Sequence, residues 1–210
     1  MKFDITYIFS GGRTKNISLP SSSDFFYGFK EYIEMGINIT FIEISDSETS
    51  IFDKIIIKIT KLPLYLFKSL SKKNFNVLVN SKNLVFINES SFISFLPIIF
   101  ICKKFYNVNI NYLPMGLVDK YLDGNWISKK IIKICFKYAD NILFIGKGEL
   151  GAAEKNIRLC TEKYKYVPFS VDIDHWSYKE KTNLKLKDIL FIGNDQNRDF
   201  QLLYSIAKKY

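Results

Sequence analysis

Residues 3–44 read FDITYIFSGGRTKNISLPSSSDFFYGFKEYIEMGINITFIEI, and their pattern sets the fold class. Residues 3–9 are apolar and β-favouring, and Ser10-Gly11-Gly12 ends the run. Ser21-Ser22-Ser23-Asp24 offers N-caps to a helix predicted over residues 24–34, with Phe25, Phe29, Tyr32 and Ile33 on one side. Gly36 stops that helix, and residues 37–44 form a second strand. Strand, helix and strand in about 40 residues make a βαβ unit, because parallel strands need such a crossover.

The same grammar continues downstream. A helical region is predicted over residues 51–70, kinked or divided at Pro63. Residues 77–79 and 84–87 are two short strand candidates, only one of which need be central. Residues 92–105 read as a buried helix in spite of Pro97, 108–112 as a strand and 114–126 as a loop. Residues 128–138 are an amphipathic helix, with Ile131, Ile132, Cys135 and Phe136 opposite Lys129, Lys133 and Lys137. A strand at 141–145, a helix at 149–160 and a strand at 164–167 complete a Rossmann-like parallel α/β domain.

Residues 188–210, DILFIGNDQNRDFQLLYSIAKKY, repeat the opening pattern of strand, glycine turn and helix. The pentapeptide ILFIG occurs at both 142–146 and 189–193, each time a strand followed by the glycine that lets the chain turn. The predicted organisation is therefore a domain over residues 1–172, a linker over 173–187, and over 188–210 the start of a second, truncated α/β domain.

The 30 Lys and Arg against 21 Asp and Glu give a net charge of +9, which attracts anionic partners. The excess is lysine: arginine occurs only at 13, 158 and 198. Base readout leans on arginine, so no nucleic-acid partner is expected. Cys102, Cys135 and Cys160 are widely spaced and form neither a disulfide framework nor a metal cluster. No signal peptide is visible, and the longest apolar run, residues 92–102, is far short of the ~20 residues that span a bilayer. A cytoplasmic location follows as the expectation.

Candidate functional residues lie where strands end. Gly11 and Gly12 follow the first strand, where a backbone without side chains can approach a phosphate or sugar, or can simply turn. They match neither GxGxxG nor GxxxxGK[ST], which excludes a nicotinamide dehydrogenase and a P-loop kinase. Gly193 and Asn194 occupy the equivalent place in 188–210, and Arg198 can add a bidentate phosphate contact, while Asp195 or Asn197 can instead cap the helix. Met115 and Gly116 lie in a loop that can shape an acceptor pocket; Lys147 can reach an anion, and Glu149 can cap a helix N-terminus. Asp172, Asp174 and His175 cluster in sequence, but with no second histidine or cysteine near them they form no metal site. Lys54, Lys58, Lys61, Lys68 and Lys72 recur at helical spacing beside an apolar stripe, a pattern that binds anionic headgroups or covers a protein's own core.

The order of these segments resembles the glycosyltransferases of the GT-B fold, especially the retaining "group 1" glycosyltransferases. Three stretches carry the likeness: the first strand with Gly11-Gly12; YADNILFIGKGELGAAEKN at 138–156; and KYVPFSVDIDHWSYKE at 165–180, where Asp172 and Trp176 fall on the family's aspartate and aromatic positions. Residues 188–210 then match the opening of the donor domain, with Arg198-Asp199 near its usual basic residue and glycine. Gly146 stands where a serine is commoner, and Tyr112-Leu113-Pro114-Met115-Gly116 lacks the family's substrate-contacting histidine. The resemblance implies transfer of a hexosyl unit from a nucleotide-diphosphate sugar to a glycan or lipid-linked acceptor, as in cell-surface polysaccharide synthesis. It implies no cofactor or metal; the lysine-flanked apolar stripe adds the separate expectation of a protein peripheral on the inner face of the membrane. The family's paired glutamates would follow Tyr210, so the 210-residue chain alone is expected to be inactive. The rival expectation is a non-catalytic binding or scaffold module of the same build.

Overall fold

The computed structural model describes residues 2–17, 22–44, 49–176 and 200–209. The chain divides into two compact units, Met1–Trp176 and Ser177–Tyr210. In the second, the described element is a helix at Phe200–Lys209; Gly193, Asn194, Asp195, Asn197 and Arg198 lie outside the described residues.

The first unit is built on six parallel strands: β1 (Phe3–Ser10), β2 (Ile39–Ile44), β3 (Ser81–Ile87), β4 (Asn109–Leu113), β5 (Asn141–Phe144) and β6 (Tyr164–Tyr166), in the order β2-β1-β3-β4-β5-β6. The register pairs Thr6 with Thr40 on one side and with Leu84 on the other. The helices are α1 (Phe29–Glu34), α2 (Ile51–Thr60), α3 (Leu66–Ser69), α4 (Lys72–Val79), α5 (Glu89–Phe105), α6 (Leu117–Asp123), α7 (Trp126–Tyr138), α8 (Lys147–Asn156) and α9 (Ile173–Trp176), with α10 being Phe200–Lys209 of the second unit. This is the expected Rossmann-like α/β class.

Several boundaries differ from expectation, each for a local reason. Residues 77–79 end helix α4 rather than forming a strand, because Ser71 accepts a hydrogen bond from Asn74 N–H (3.1 Å) and caps that helix. The predicted helix at 24–34 is split: Tyr27 (φ 51°) and Gly28 (φ 86°) are left-handed and separate a 3₁₀ turn from α1. The region 51–70 breaks at the left-handed Lys61 (φ 54°), just before Pro63. The loop at 114–126 contains α6, and α5 begins at Glu89, three residues before the predicted start, and runs through Pro97.

Handedness explains where the core lies. Right-handed crossovers running toward β2 and toward β6 place their helices on opposite faces. The crossover to β2 carries α1; those running the other way place α4, α5, α7 and α8 over the other face. That second face holds the main core, including Ile8, Leu84, Phe86, Phe92, Phe95, Ile110, Tyr112, Phe136 and Phe144, all fully buried. Cys102 and Cys135 sit there as buried thiols, and burial pushes the Cys102 thiol up to about 11. The α1 face has a smaller cluster of Tyr7, Phe9, Phe26, Phe29, Ile87 and Leu113. Beside it a groove of about 1380 Å³ remains, floored by Val85, Leu113 and Leu143 and bordered by residues 167–173. Asn109 donates to Asn83 Oδ1 (3.0 Å) and Asn141 to Asn111 Oδ1 (2.9 Å), an amide ladder along this face.

Candidate functional site

Strand order reverses between β1 and β3, because the chain leaves β1 for the β2 side and returns on the other. Loops part at such a switch point, beyond the carboxyl ends of the strands. A cleft of about 400 Å³ lies there, lined by Ser10, Gly11, Arg13, Pro63, Tyr65, Asn88, Glu89, Ser90 and Met115.

Each wall is held by specific contacts. Gly11 (φ 83°) and Gly12 (φ 75°) are both left-handed, so the pair turns β1 into the cleft's upper rim in a conformation that side chains disfavour. Thr14, in the 3₁₀ turn that follows, donates its N–H to Glu43 Oε2 (3.0 Å) and its hydroxyl to the same oxygen, fixing the loop to the end of β2. Arg13 donates to the Phe25 carbonyl (3.2 Å) and lies over the Tyr27 ring (5.3 Å). On the opposite wall, Asp53 of α2 accepts from Leu66 N–H (3.0 Å) and Ser94 Oγ of α5 from Tyr65 N–H (2.8 Å), fastening the 63–66 segment to both helices.

The floor is the junction of β3 and α5. Asn88 joins them with φ 69° and ψ 169°, a region that glycine alone fills without strain. Its side chain over-determines that conformation. Asn88 Nδ2 donates to Ser10 Oγ (2.5 Å), while Asn88 Oδ1 accepts from Ser90 Oγ (2.8 Å) and from Ser91 N–H (3.1 Å), capping α5. Asn88→Ala is expected to lower stability by about 2–3 kcal/mol, because it keeps the strain and loses the cap. Asn88→Gly loses the same bonds but accepts the backbone angles, so urea midpoints should place it about 1–2 kcal/mol above the alanine variant. Equal midpoints would show that the backbone is not strained.

Glu89 follows at the start of α5. It is only 6% exposed, and Lys120 of α6 pairs with its Oε1. Its Oε2 has no hydrogen-bond partner among the described residues. Burial also lowers the Lys120 pKa, with the Glu149 charge acting against that shift. Glu89 thus lines the cleft and keeps a buried carboxylate oxygen whose capacity to accept a hydrogen bond is unused among the described residues, beside Ser90 and near the positive end of α5's dipole.

The residues singled out from sequence distribute unevenly about this cleft. Gly11 and Met115 line it, and Gly12 supports the rim. Gly116 (φ 81°) lies behind Met115, and its N–H donates to Glu149 Oε1 (3.0 Å). Glu149 therefore caps the neighbouring α6. Lys147 is exposed, with its ammonium 5.4 Å from the Tyr166 ring centroid. Asp172 accepts from Ser23 N–H (3.3 Å) and His175 N–H (3.0 Å), and its own N–H donates to Asp24. It fastens residues 172–175 to the α1 face, away from the cleft. Among the described residues, no three His, Cys, Asp or Glu side chains converge as metal ligands.

Asn88, Glu89, Ser90 and Lys120 escaped sequence reasoning. The signal was present: Leu84–Ile87 followed by Asn-Glu-Ser-Ser and an apolar run is a strand, a cap and a helix. Dividing the strand between 77–79 and 84–87 and starting the helix at 92 hid that junction.

Glu149 gives the site a pH signature. Desolvation raises its pKa, outweighing hydrogen bonds from the Gly116, Val118 and Leu117 backbone, which lower it. The folded chain then holds this proton to higher pH than the unfolded chain does. Its contribution to stability is greatest below the unfolded carboxylate pKa and is lost as pH rises through the folded one. Relative to wild type, Glu149→Gln should gain stability as pH rises from the ordinary carboxylate range through the raised folded pKa, and then level off. Urea unfolding across that range measures it; a difference that does not vary with pH would contradict this assignment.

No protein-family model matches the chain, and no curated protein matches it.

Proposed function

We propose that this chain forms the acceptor-side half of a glycosyltransferase that moves a hexosyl unit from a nucleotide-diphosphate sugar to a glycan or lipid-linked acceptor. The observation that carries the reading is Glu89, in the lining of the switch-point cleft: a nine-tenths buried carboxylate, held by Lys120, whose Oε2 has no hydrogen-bond partner among the described residues. Sugar hydroxyls are donors that such an oxygen recognises, and a built-in hydrogen-bond acceptor discriminates strongly against ligands that leave it empty. Ser90 and Ser10 extend the polar floor, and Tyr65 and Met115 offer apolar surface for a ring face.

The retaining GT-B resemblance supports the donor half of the proposal. The turn at Gly193-Asn194 and the guanidinium of Arg198 would hold the diphosphate, and closure of the two halves would exclude water. The deciding assay is turnover by the protein with UDP-, GDP- and ADP-sugars against a panel of glycan and lipid-linked acceptors. Absence of both turnover and donor binding would defeat the proposal. Glycan binding without turnover would assign the fold to a binding module instead.

A further inference from the structure

Helix α2 is apolar on two sides. Its inward side carries Asp53 and Thr60, both buried, with the half-buried Ile56 and Ile57 packed on the main core. Its outward side carries Ile51, Phe52, Ile55 and Ile59, which are 78%, 65%, 53% and 52% exposed. At 3.6 residues per turn these four fall within about 100° of one another. A surface helix ordinarily turns its polar side outward, so bulky apolar residues there mark a face made to be covered. The patch continues past the helix end. Asn125 donates to the Ile59 carbonyl (2.8 Å) and Ser128 to that of Thr60, which sets Trp126, 73% exposed, against the end of α2.

The charges around this patch identify its partner. Lys54 and Lys58 flank the apolar stripe on α2, Lys61 caps the helix, and Lys130 lies one turn beyond Trp126; all four are exposed. The carboxylate of α2, Asp53, is turned inward to Leu66 N–H. Lys68 and Lys72 lie on α3 and α4, so the five lysines read from sequence do not form one helical row. A two-fold pairing of this face with a second copy would bring Lys54 and Lys58 toward their own copies, which like-charge repulsion opposes.

We propose that the face formed by Ile51, Phe52, Ile55, Ile59 and Trp126, rimmed by Lys54, Lys58, Lys61 and Lys130, docks the protein on an anionic lipid bilayer. The apolar side chains enter the interfacial layer, tryptophan settles at headgroup depth, and the ammonium groups meet lipid phosphates. The inference is independent of what the switch-point cleft binds.

The test uses the 210-residue chain and sedimentation with vesicles of phosphatidylcholine, alone or mixed with phosphatidylglycerol. Binding is expected to the mixed vesicles only, weakening as salt rises. In a Trp176→Phe background, Trp126 emission should shift to the blue on binding. Lys54→Gln with Lys58→Gln, and separately Phe52→Ser with Ile55→Ser, should each weaken partitioning by on the order of tenfold. Circular dichroism checks that each variant is folded. Equal affinity for both vesicle types, no binding to either, or unchanged Trp126 emission would overturn the proposal. So would a dimer, seen by light scattering, that Phe52→Ser makes monomeric, since that would give the face to a second copy.

Discussion

If the proposed transfer is right, Glu89→Gln is expected to lower kcat/KM for the acceptor by roughly tenfold to a hundredfold and to leave donor binding unchanged. The size follows from the bond removed. A hydrogen bond to a charged acceptor contributes about 1.5–3 kcal/mol, and each 1.4 kcal/mol is a factor of ten. Gln keeps the shape and an acceptor oxygen but removes the charge and presents an amide where the hydroxyl would donate. The helix survives the change because the α5 cap belongs to Asn88. Acceptor titrations at saturating donor, together with donor titrations followed by calorimetry, measure the two effects separately. Loss of donor affinity instead would place Glu89 on the wrong substrate. An unchanged acceptor kcat/KM would remove it from the site.

The second large effect is on stability. Lys120→Met should destabilise the fold by about 2–3 kcal/mol, because it leaves the buried Glu89 carboxylate without its counter-charge. The value stands below that of a fully buried pair because the Lys120 side chain is 36% exposed and water shares in its solvation. Lys120→Met combined with Glu89→Leu should recover most of the loss, since an apolar pair of similar volume carries no desolvation penalty. Urea unfolding of the two single variants and the double variant closes the cycle. A double variant as weak as Lys120→Met alone would show that methionine fails for packing reasons, with the charge irrelevant.

The fold was legible because its signals are local and repeated. Each apolar run ending in Gly or a polar cap announced a strand's carboxyl end, as at Ser10-Gly11-Gly12 and at Ile145-Gly146. What failed was reading across gaps. Residues 77–79 are as apolar as a strand, and only the Ser71 cap assigns them to α4. The site was half legible for the same reason. Gly11, Gly12 and Met115 follow strands that were placed correctly, whereas Asn88 and Glu89 follow one whose extent was misjudged. Glu149 shows a further limit. Its position at a helix start suggested a cap, but no local pattern reveals that the helix it caps is α6. Lys120 lies 31 residues from Glu89, and no sequence spacing pairs the two.

The inner place of β1, paired on both its edges, has a consequence for how the chain finds this structure. β1 is the first strand to leave the ribosome, yet it pairs on both sides with strands that come later, Thr6 with Thr40 and then with Leu84. Because every pairing in the sheet is parallel, each waits for an intervening crossover to close, and loop closure must precede any gain from the ladder. Until β3 is synthesised, one edge of the run from Ile5 to Ile8 has no strand to bond. That nascent edge, more than any surface of the finished molecule, is where chaperone binding or misassembly during synthesis would concentrate.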